Sequence, residues 1–428
     1  MLAVLKHAPR GWNSWDCYGA SVTEEVVRQN AAYMAAHMKQ AGYEYVCVDI
    51  QWYEPFASSN DYRPFADLCI DEYGRVIPAE NRFPSSKGGK GFAPLAEYIH
   101  SLGLKLGIHI MRGIPRQAVY QNTPVKGTDF TARQIAKTAS TCWWNTDMYG
   151  VDTTKEGGKA YYASLLELYA SWGVDYIKID DICRELPKEE QELIDFAHAL
   201  AEEARPMVLS LSPGPALLEK AELYKQLANM WRITDDFWDR WDLLYAMFER
   251  AEKWSIHAGN SHYPDADMLP VGAIRQCYDP DARTKFTRDE QKTMMILWCI
   301  MRAPLIAGNE LTKTDDFTLK LLTDVGLMDM HENSRHAHQV FRRVMGQNEI
   351  CLWVASCAKG GAYVAAFNLS DTDCAVSIRL SELEWEGAVQ AEEIYTREGL
   401  TFRDSMELDL PSHGARAFHF ASLQEVMS

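Results

Sequence analysis

From residue 11 to about 330 the chain alternates short apolar or β-branched runs with longer stretches whose apolar positions recur every three or four residues. The first kind reads as strand and the second as helix, so the pattern predicts parallel strands joined by helices. The strand candidates are GWNSW (11–15), YEYVCVDI (43–50), KLGIHIM (105–111), YIKID (176–180), PMVLSLS (206–212), WRIT (231–234), a weaker run near 255–263, and PLIAG (304–308). Eight strands in this order close a (β/α)8 barrel. Ser21 with Glu24 and Thr287 with Glu290 have capping-box spacing ahead of helical patterns. An open doubly wound sheet is the alternative, but no GxGxxG follows the first strand, which also lowers a dinucleotide-binding reading.

After about residue 336 the texture changes to short alternating runs, EICLWVAS, AYVAAFNLS, CAVSIRL and GARAFHFA, separated by Gly, Asn, Asp and Ser. That pattern predicts an antiparallel β-sandwich, giving a barrel over 1–335 and a C-terminal sandwich over 336–428. Residues 112–156, between the third and fourth strands, read as a long polar loop on the C-terminal face of the barrel. Loops of that length are usually functional, and this one contains CWWNTDMYGVD.

Composition narrows the class of function. With 43 basic and 60 acidic residues the net charge is −17, and no Lys/Arg block stands out. Nucleic acid and anionic membranes are therefore poor partners. No apolar run reaches membrane-spanning length, and MLAVLKHAPRGWNSW lacks the apolar stretch of a signal peptide, so a cytoplasmic location is expected; a chain shortened at its N-terminus would read the same. The ten cysteines lack CxxC or metal-like spacing and read mostly as buried thiols in a reducing compartment.

Barrel enzymes work at the C-terminal ends of their strands, and here those ends are rich in Asp. Asp49 closes the second strand, Asp180 and Asp181 the fourth, Asp235 and Asp236 follow the sixth, and Asp265 and Asp267 lie near the seventh. No grouping has metal spacing and no Ser sits in a GxSxG elbow, so zinc hydrolysis and Ser-His-Asp catalysis both score low. Converging carboxylates with Trp12, Trp15, Trp52 and Trp238 on one face suit glycoside hydrolysis. Lys178, two residues before Asp180, points the same way and can hold that Asp ionised. Asp181 should point to the other face, into a supporting or solvated position. Taken alone, Asp235 and Asp236 read as caps of a helix starting near Asp239, and His109 in an apolar strand reads as a core histidine.

The motifs GWNSWDCYG, YVCVDIQW, LGLKLGIH, WGVDYIKIDD, WRITDDFWDRW, YPDADML and MRAPLIAGNEL occur in order over residues 11 to about 312. Together they resemble the family 27 glycoside hydrolases, the α-galactosidase and α-N-acetylgalactosaminidase group, whose C-terminal sandwich also fits. The resemblance implies Asp180 as nucleophile and Asp236 as acid/base. It implies Trp15, Asp49, Lys178, Arg232 and Asp267 as sugar contacts, and puts His109 where the family usually has a Tyr. It calls for no metal or organic cofactor.

Two departures bear on substrate. Galactosidases of the family usually carry two adjacent Asp followed by Cys and Trp, whereas this chain reads Asp49-Ile50-Gln51-Trp52. One hydroxyl-binding carboxylate is missing, as is the Cys of a disulfide found in secreted relatives. Ser212 and Ala216 stand where galactosidases have Glu and a bulky residue, which makes room for a 2-acetamido group. The reading is a retaining exo-glycosidase acting on an oligosaccharide or glycoconjugate with a terminal α-linked galactose-type sugar, N-acetylgalactosamine first and galactose otherwise. Its rivals are a pyranosidase of altered specificity, such as a β-L-arabinopyranosidase, and a carbohydrate-binding protein without turnover. The oligomeric state is left open, a homodimer included.

Overall fold

Strands β1 (Arg10–Asn13), β2 (Tyr45–Val48), β3 (Lys105–Met111), β4 (Tyr176–Asp180), β5 (Val208–Leu211), β6 (Met230–Arg232), β7 (Tyr263–Asp265) and β8 (Leu305–Ala307) form one parallel sheet. Its order is β7-β6-β5-β4-β3-β2-β1-β8, and a parallel bridge from Leu269, just past β7, to Ala307 of β8 completes the ring. The computed structural model describes residues 3–58, 61–184 and 186–421; the outermost residues assigned to the two domains, 1–2 and 422–428, lie outside that range. A helix connects each pair of consecutive strands, for example Glu24–His37 between β1 and β2 and Arg288–Met301 between β7 and β8.

Strand periodicity sorts the barrel's interior from its exterior. On β4, Ile177 and Ile179 join the large core under the helices, whereas Tyr176 packs inside the ring with Tyr45, Cys47, Val208 and Met230. Gly107 of β3 leaves space for that Tyr: a methyl group there would lie 2.8 Å from the Tyr176 ring. One step up from this apolar layer the same inward positions are polar, with His109 paired in register to Lys178 and Lys178 to Ser210. The next step brings Asp180, Arg232 and Asp265 to the open end.

Four local expectations need correction. The seventh strand is Tyr263–Asp265, and Ser255–His257 in the weaker run form a 3-10 turn ending the preceding helix. Trp15 lies beyond β1 and opens a four-residue helix, because Asn13 Oδ1 accepts its N–H at 2.8 Å and turns the chain. Ser21 does not cap the helix: Thr23 precedes it, the Ser21 hydroxyl donates to Tyr18 O, and Glu24 accepts from Arg28 and Ser85 N. The Thr287–Glu290 capping box is present, with reciprocal bonds of 3.1 and 2.7 Å. Residues 112–156 are no structureless loop, since they hold the helices Arg116–Gln121 and Ala132–Ile135. They also hold an antiparallel sheet of Ile114–Pro115, Ala136–Thr141 and Met148–Val151.

The C-terminal part is a six-stranded antiparallel sheet facing a two-stranded one, Cys374–Arg379 with Ser405–Leu410. Strand Asn348–Cys357 is apolar on both faces for a physical reason. Ile350 and Leu352 pack between the two sheets, while Cys351, Trp353 and Ala355 join the barrel's core. Trp241 stacks on His413 with ring centroids 3.6 Å apart, and the Thr293 hydroxyl donates to His413 O. All ten cysteines are free thiols, seven of them buried. Among the described residues, no helix is long and apolar enough to cross a membrane.

Candidate active site

A cavity of about 280 Å³ opens at the C-terminal end of the ring. Its lining is Trp15, Asp49, Ile50, Tyr62, Trp143, Trp144, Lys178, Asp180, Arg184, Ser212, Pro213, Asp235, Asp236 and Met268. Six of the residues singled out by sequence therefore line one space: Trp15, Asp49, Lys178, Asp180, Ser212 and Asp236. His109, Arg232 and Asp267 lie behind that wall: His109 touches Asp180, Arg232 touches Asp236, and Asp267 reaches the wall through Arg232. Ala216 is buried off the cavity, with its N–H on Arg232 O at 2.9 Å.

Lys178 acts on Asp180 through its charge, as the spacing predicts, but its direct bond goes elsewhere. Its ammonium lies 2.9 Å from Asp49 Oδ2, which also accepts from Asn13 Nδ2 at 2.7 Å. Burial opposes ionisation of Asp49, but Lys178, His109 and the Ile50 N–H outweigh it and hold the carboxyl below its usual range. The Asp49 charge in turn raises Lys178 against the effect of burial. Asp180 has different partners: His109 Nε2 at 2.9 Å from Oδ2, and the Asp181 N–H donating to Oδ1 at 2.8 Å. Burial again opposes its ionisation, and the His109 bond, followed by the charges of His109 and Lys178, keeps Asp180 below the ordinary value.

Asp181 is neither solvated nor in the cavity. It is buried with a left-handed backbone (φ 61°), 2.9 Å from Arg112 Nη2, and burial pushes its carboxyl up to about 6. Arg112 also reaches Glu192 and Glu189 on the next helix, so the end of β4 is tied to its surroundings on that side.

Asp236 is held by Arg232 from below, Nη2 to Oδ1 at 3.2 Å. The same guanidinium pairs with Asp267 at 2.8 Å. Asp267 accepts the Phe237 N–H at 2.8 Å, and its own N–H donates to Asp265, so three carboxylates and one arginine fix the two loops against each other. Burial pushes Asp267 up to about 7 despite Arg232. Asp236 itself is open, with a side chain 58 % exposed. Nor do Asp235 and Asp236 cap a helix: the next one begins at Trp241, and Asp235 pairs with Arg184.

The Trp assignments separate cleanly. Trp12 and Trp52 are core residues whose indole N–H groups donate to Asn309 O and His109 O. Trp15 lines the cavity and stacks on Tyr62, centroids 6.0 Å apart, with Tyr62 also against Trp144 at 5.6 Å. Tyr62, Arg184 and Met268 escaped the sequence reading. The length of the segment between β2 and the helix Ala93–Ser101 was the available signal for Tyr62. Arg184 arrives through a bond from its Nε to Gly214 O at 2.6 Å, which no local pattern announces. Asp16 was also passed over; it is buried nearby, its carboxyl driven well up by burial and by Asp267.

Of the four carboxylates on this small cavity, Asp180 is buried and held ionised, whereas Asp236 is open and paired to Arg232. The family profile described as alpha galactosidase A matches residues 13–160 and 147–332, and that of the alpha galactosidase C-terminal beta sandwich domain matches 347–420. The chain belongs to glycoside hydrolase family 27. Among family 27 structures, a β-L-arabinopyranosidase from Geobacillus stearothermophilus is 52 % identical, covers 98 % of this chain and 97 % of its own, and superposes with a TM-score of 0.94. A Bacillus halodurans protein provisionally assigned as an α-N-acetylgalactosaminidase is also 52 % identical, covers 97 % of both chains and has a TM-score of 0.86. The α-galactosidase of Cyamopsis tetragonoloba is 26 % identical over 88 % of this chain and 76 % of its own. Family membership makes the chain a glycoside hydrolase, in agreement with the strand-end carboxylates.

Proposed function

We propose that the chain is a retaining exo-glycosidase that removes terminal β-L-arabinopyranosyl groups. This sugar has the ring configuration of an α-D-galactoside but lacks the hydroxymethyl group. The observation that carries the reading is Ile50: it lines the cavity beside Asp49, where a galactosidase of the family has a second carboxylate. An apolar side chain there leaves a galactose hydroxyl without its partner while favouring a ring with less polar substitution. The two 52 % identical relatives bear different names, so overall similarity does not choose between sugars, and the support for arabinopyranose comes from the lining.

In the proposed reaction Asp180 attacks the anomeric carbon as the glycosidic C–O bond breaks, and Asp236 gives its proton to the departing oxygen. The resulting glycosyl ester on Asp180 is opened by water, whose proton passes to Asp236, and two displacements give net retention. His109 and the Asp181 N–H keep the attacking carboxylate ionised and aimed. Asp236 is open to solvent before substrate arrives, so the sugar and its leaving group supply the cover that excludes water around it. Activity is expected to follow a bell-shaped profile on the acid side of neutral.

The 2-acetamido sugar is the second reading, and Ser212 in the lining favours it. Against it, Ala216 is off the cavity, and Pro213 and Arg184 share that wall. The test compares kcat/KM for 4-nitrophenyl β-L-arabinopyranoside, α-D-galactopyranoside and α-N-acetylgalactosaminide in wild type and Ile50→Asp. The arabinopyranoside is expected to lead in wild type. Ile50→Asp is expected to shift the galactoside-to-arabinopyranoside ratio by about 10- to 100-fold towards galactose. A wild type that prefers the 2-acetamido sugar, or a ratio unmoved by Ile50→Asp, would sink the assignment.

A further inference from the structure

Both carboxylate oxygens of the proposed nucleophile have a fixed neighbour. Oδ2 of Asp180 meets His109 Nε2, and Oδ1 accepts the N–H of Asp181 at 2.8 Å. That N–H belongs to the peptide between Asp180 and Asp181, whose carbonyl, Asp180 O, accepts the main-chain N–H of Arg112 at 3.1 Å. In a planar trans peptide the C=O and N–H point in opposite directions, so fixing one aims the other. The chain then leaves the strand through Asp181 in the left-handed region, φ 61°, a conformation that costs a non-glycine residue free energy.

The Arg112 side chain holds that conformation. Its Nε donates to Asp181 O at 2.6 Å and its Nη2 lies 2.9 Å from Asp181 Oδ2, so one planar guanidinium bonds the carbonyl and the carboxylate of the strained residue. On the far side of the turn the N–H groups of Ile182 and Cys183 donate to Ser212 O at 3.1 and 3.3 Å. Arg112 is itself buried in a socket. Its Nη1 donates to Ser140 Oγ at 2.9 Å, that hydroxyl donates to Glu189 at 2.9 Å, and Glu192 lies 3.5 Å from the same nitrogen. Gly150 leaves the guanidinium its space, for a methyl group there would lie 3.0 Å from Nη1. Burial opposes the arginine's charge, but Glu192, Asp181 and Glu189 outweigh it. The 112–156 segment and the helix Leu186–Glu202 thus converge, through one side chain, on a residue outside the cavity lining.

We infer that Arg112 is a positioning residue for Asp180: its grip on Asp181 keeps the intervening peptide turned so that its N–H stays on the nucleophile's Oδ1. The inference rests on the reading of Asp180 as nucleophile. Lysine at 112 would keep the charge but, as a single ammonium, would lose the paired bonds. Once the grip is gone, Asp181 relaxes out of the left-handed region and its N–H leaves Oδ1. Asp180 then lacks one of the groups that favour its ionised form. The acid limb of kcat/KM reports the group that must be ionised in the free enzyme, so that limb moves up. The other titratable or charged groups that act with Asp180, namely His109, Lys178, Arg232, Tyr62, Cys142 and Cys183, are left in place by the variants that test this.

The experiment records kcat/KM against pH, with the thermal transition beside it, for wild type, Arg112→Lys, Asp181→Ala and Asp181→Asn. The substrate is whichever of the three 4-nitrophenyl glycosides wild type hydrolyses best, so the outcome does not depend on the sugar assignment. Arg112→Lys is expected to lose about 30-fold at the optimum and to shift its acid limb up by about one pH unit. Asp181→Ala, poorly suited to the left-handed region and without a carboxylate for the guanidinium, is expected to move the same way. Asp181→Asn tolerates that region and still accepts from Arg112, so it is expected to stay within about threefold of wild type. Both Asp181 variants lose the same charge, so the difference between them reads the turn alone, and it decides the matter if Arg112→Lys does not fold. A folded Arg112→Lys whose limb lies within about 0.2 pH unit of wild type, or Asp181→Ala matching Asp181→Asn, would overturn the inference. If Asp180→Ala keeps its activity, the nucleophile assignment falls and this inference with it. If Asp180→Ala is inactive while the limbs stay put, this inference falls alone.

Discussion

Asp180→Ala is expected to lower kcat/KM for the preferred aryl glycoside by at least ~10⁴-fold, because the variant has no group to form the covalent intermediate. The fold should persist, since the change removes one inward side chain from the rim and leaves the apolar layer of Tyr176 untouched. Added azide should restore part of the turnover by occupying the vacated space, and its product should be a glycosyl azide of inverted configuration. The enzyme is to be assayed with and without azide, with the thermal transition recorded beside it. Activity within tenfold of wild type would remove Asp180 from the mechanism.

Lys178→Met is expected to cost about 3–5 kcal/mol of unfolding free energy at pH 7, because it strands Asp49 as a buried carboxylate without its ammonium. The pH dependence has a definite sign. In wild type the Asp49 carboxyl is held below its usual range. Its contribution to stability is therefore present above that range and is lost as pH falls through the folded-state value. In the variant, protonating Asp49 relieves the stranded charge, so the deficit should shrink on acidification. Urea unfolding at pH 7 and pH 5 measures both. A deficit under about 1 kcal/mol at pH 7 would mean that the pair is solvated rather than buried.

These two residues also mark how far the sequence could be read. YIKID alternates so that Lys178 and Asp180 must share the inward face, and that inference is correct in the fold. Their partners are not legible there, because Asp49 and His109 approach from β2 and β3 and the sequence carries no measure of distance. Hence the influence of Lys178 on Asp180 is legible, whereas its direct bond to Asp49 is not. Strand patterning succeeded where a run is long and β-branched, as at β3. It failed at β7, where three residues are too few for a period and the adjoining SIH turn is equally apolar.

The cavity shows the same division. Residues at strand ends were found because a barrel brings every strand end to one face. Tyr62, Arg184 and Met268 come from connecting segments, whose paths are set by bonds such as Arg184 to Gly214 O rather than by periodicity. Asp236 illustrates a third limit. Its place after Trp231-Arg232 is legible in the sequence, but its exposure to solvent is not, because that depends on the path of the loop that carries it.

The central claim is a retaining displacement by Asp180 on a β-L-arabinopyranoside, and proton NMR of the first minutes of hydrolysis by wild type tests it most directly. With 4-nitrophenyl β-L-arabinopyranoside as substrate, the β-anomer of free arabinopyranose should appear first and the α-anomer only later, by mutarotation. If the α-anomer forms first, water attacks the sugar directly and Asp180 is not the nucleophile. If arabinose is not released while the galactoside or galactosaminide is consumed, the mechanism stands open and the role given to Ile50 is wrong.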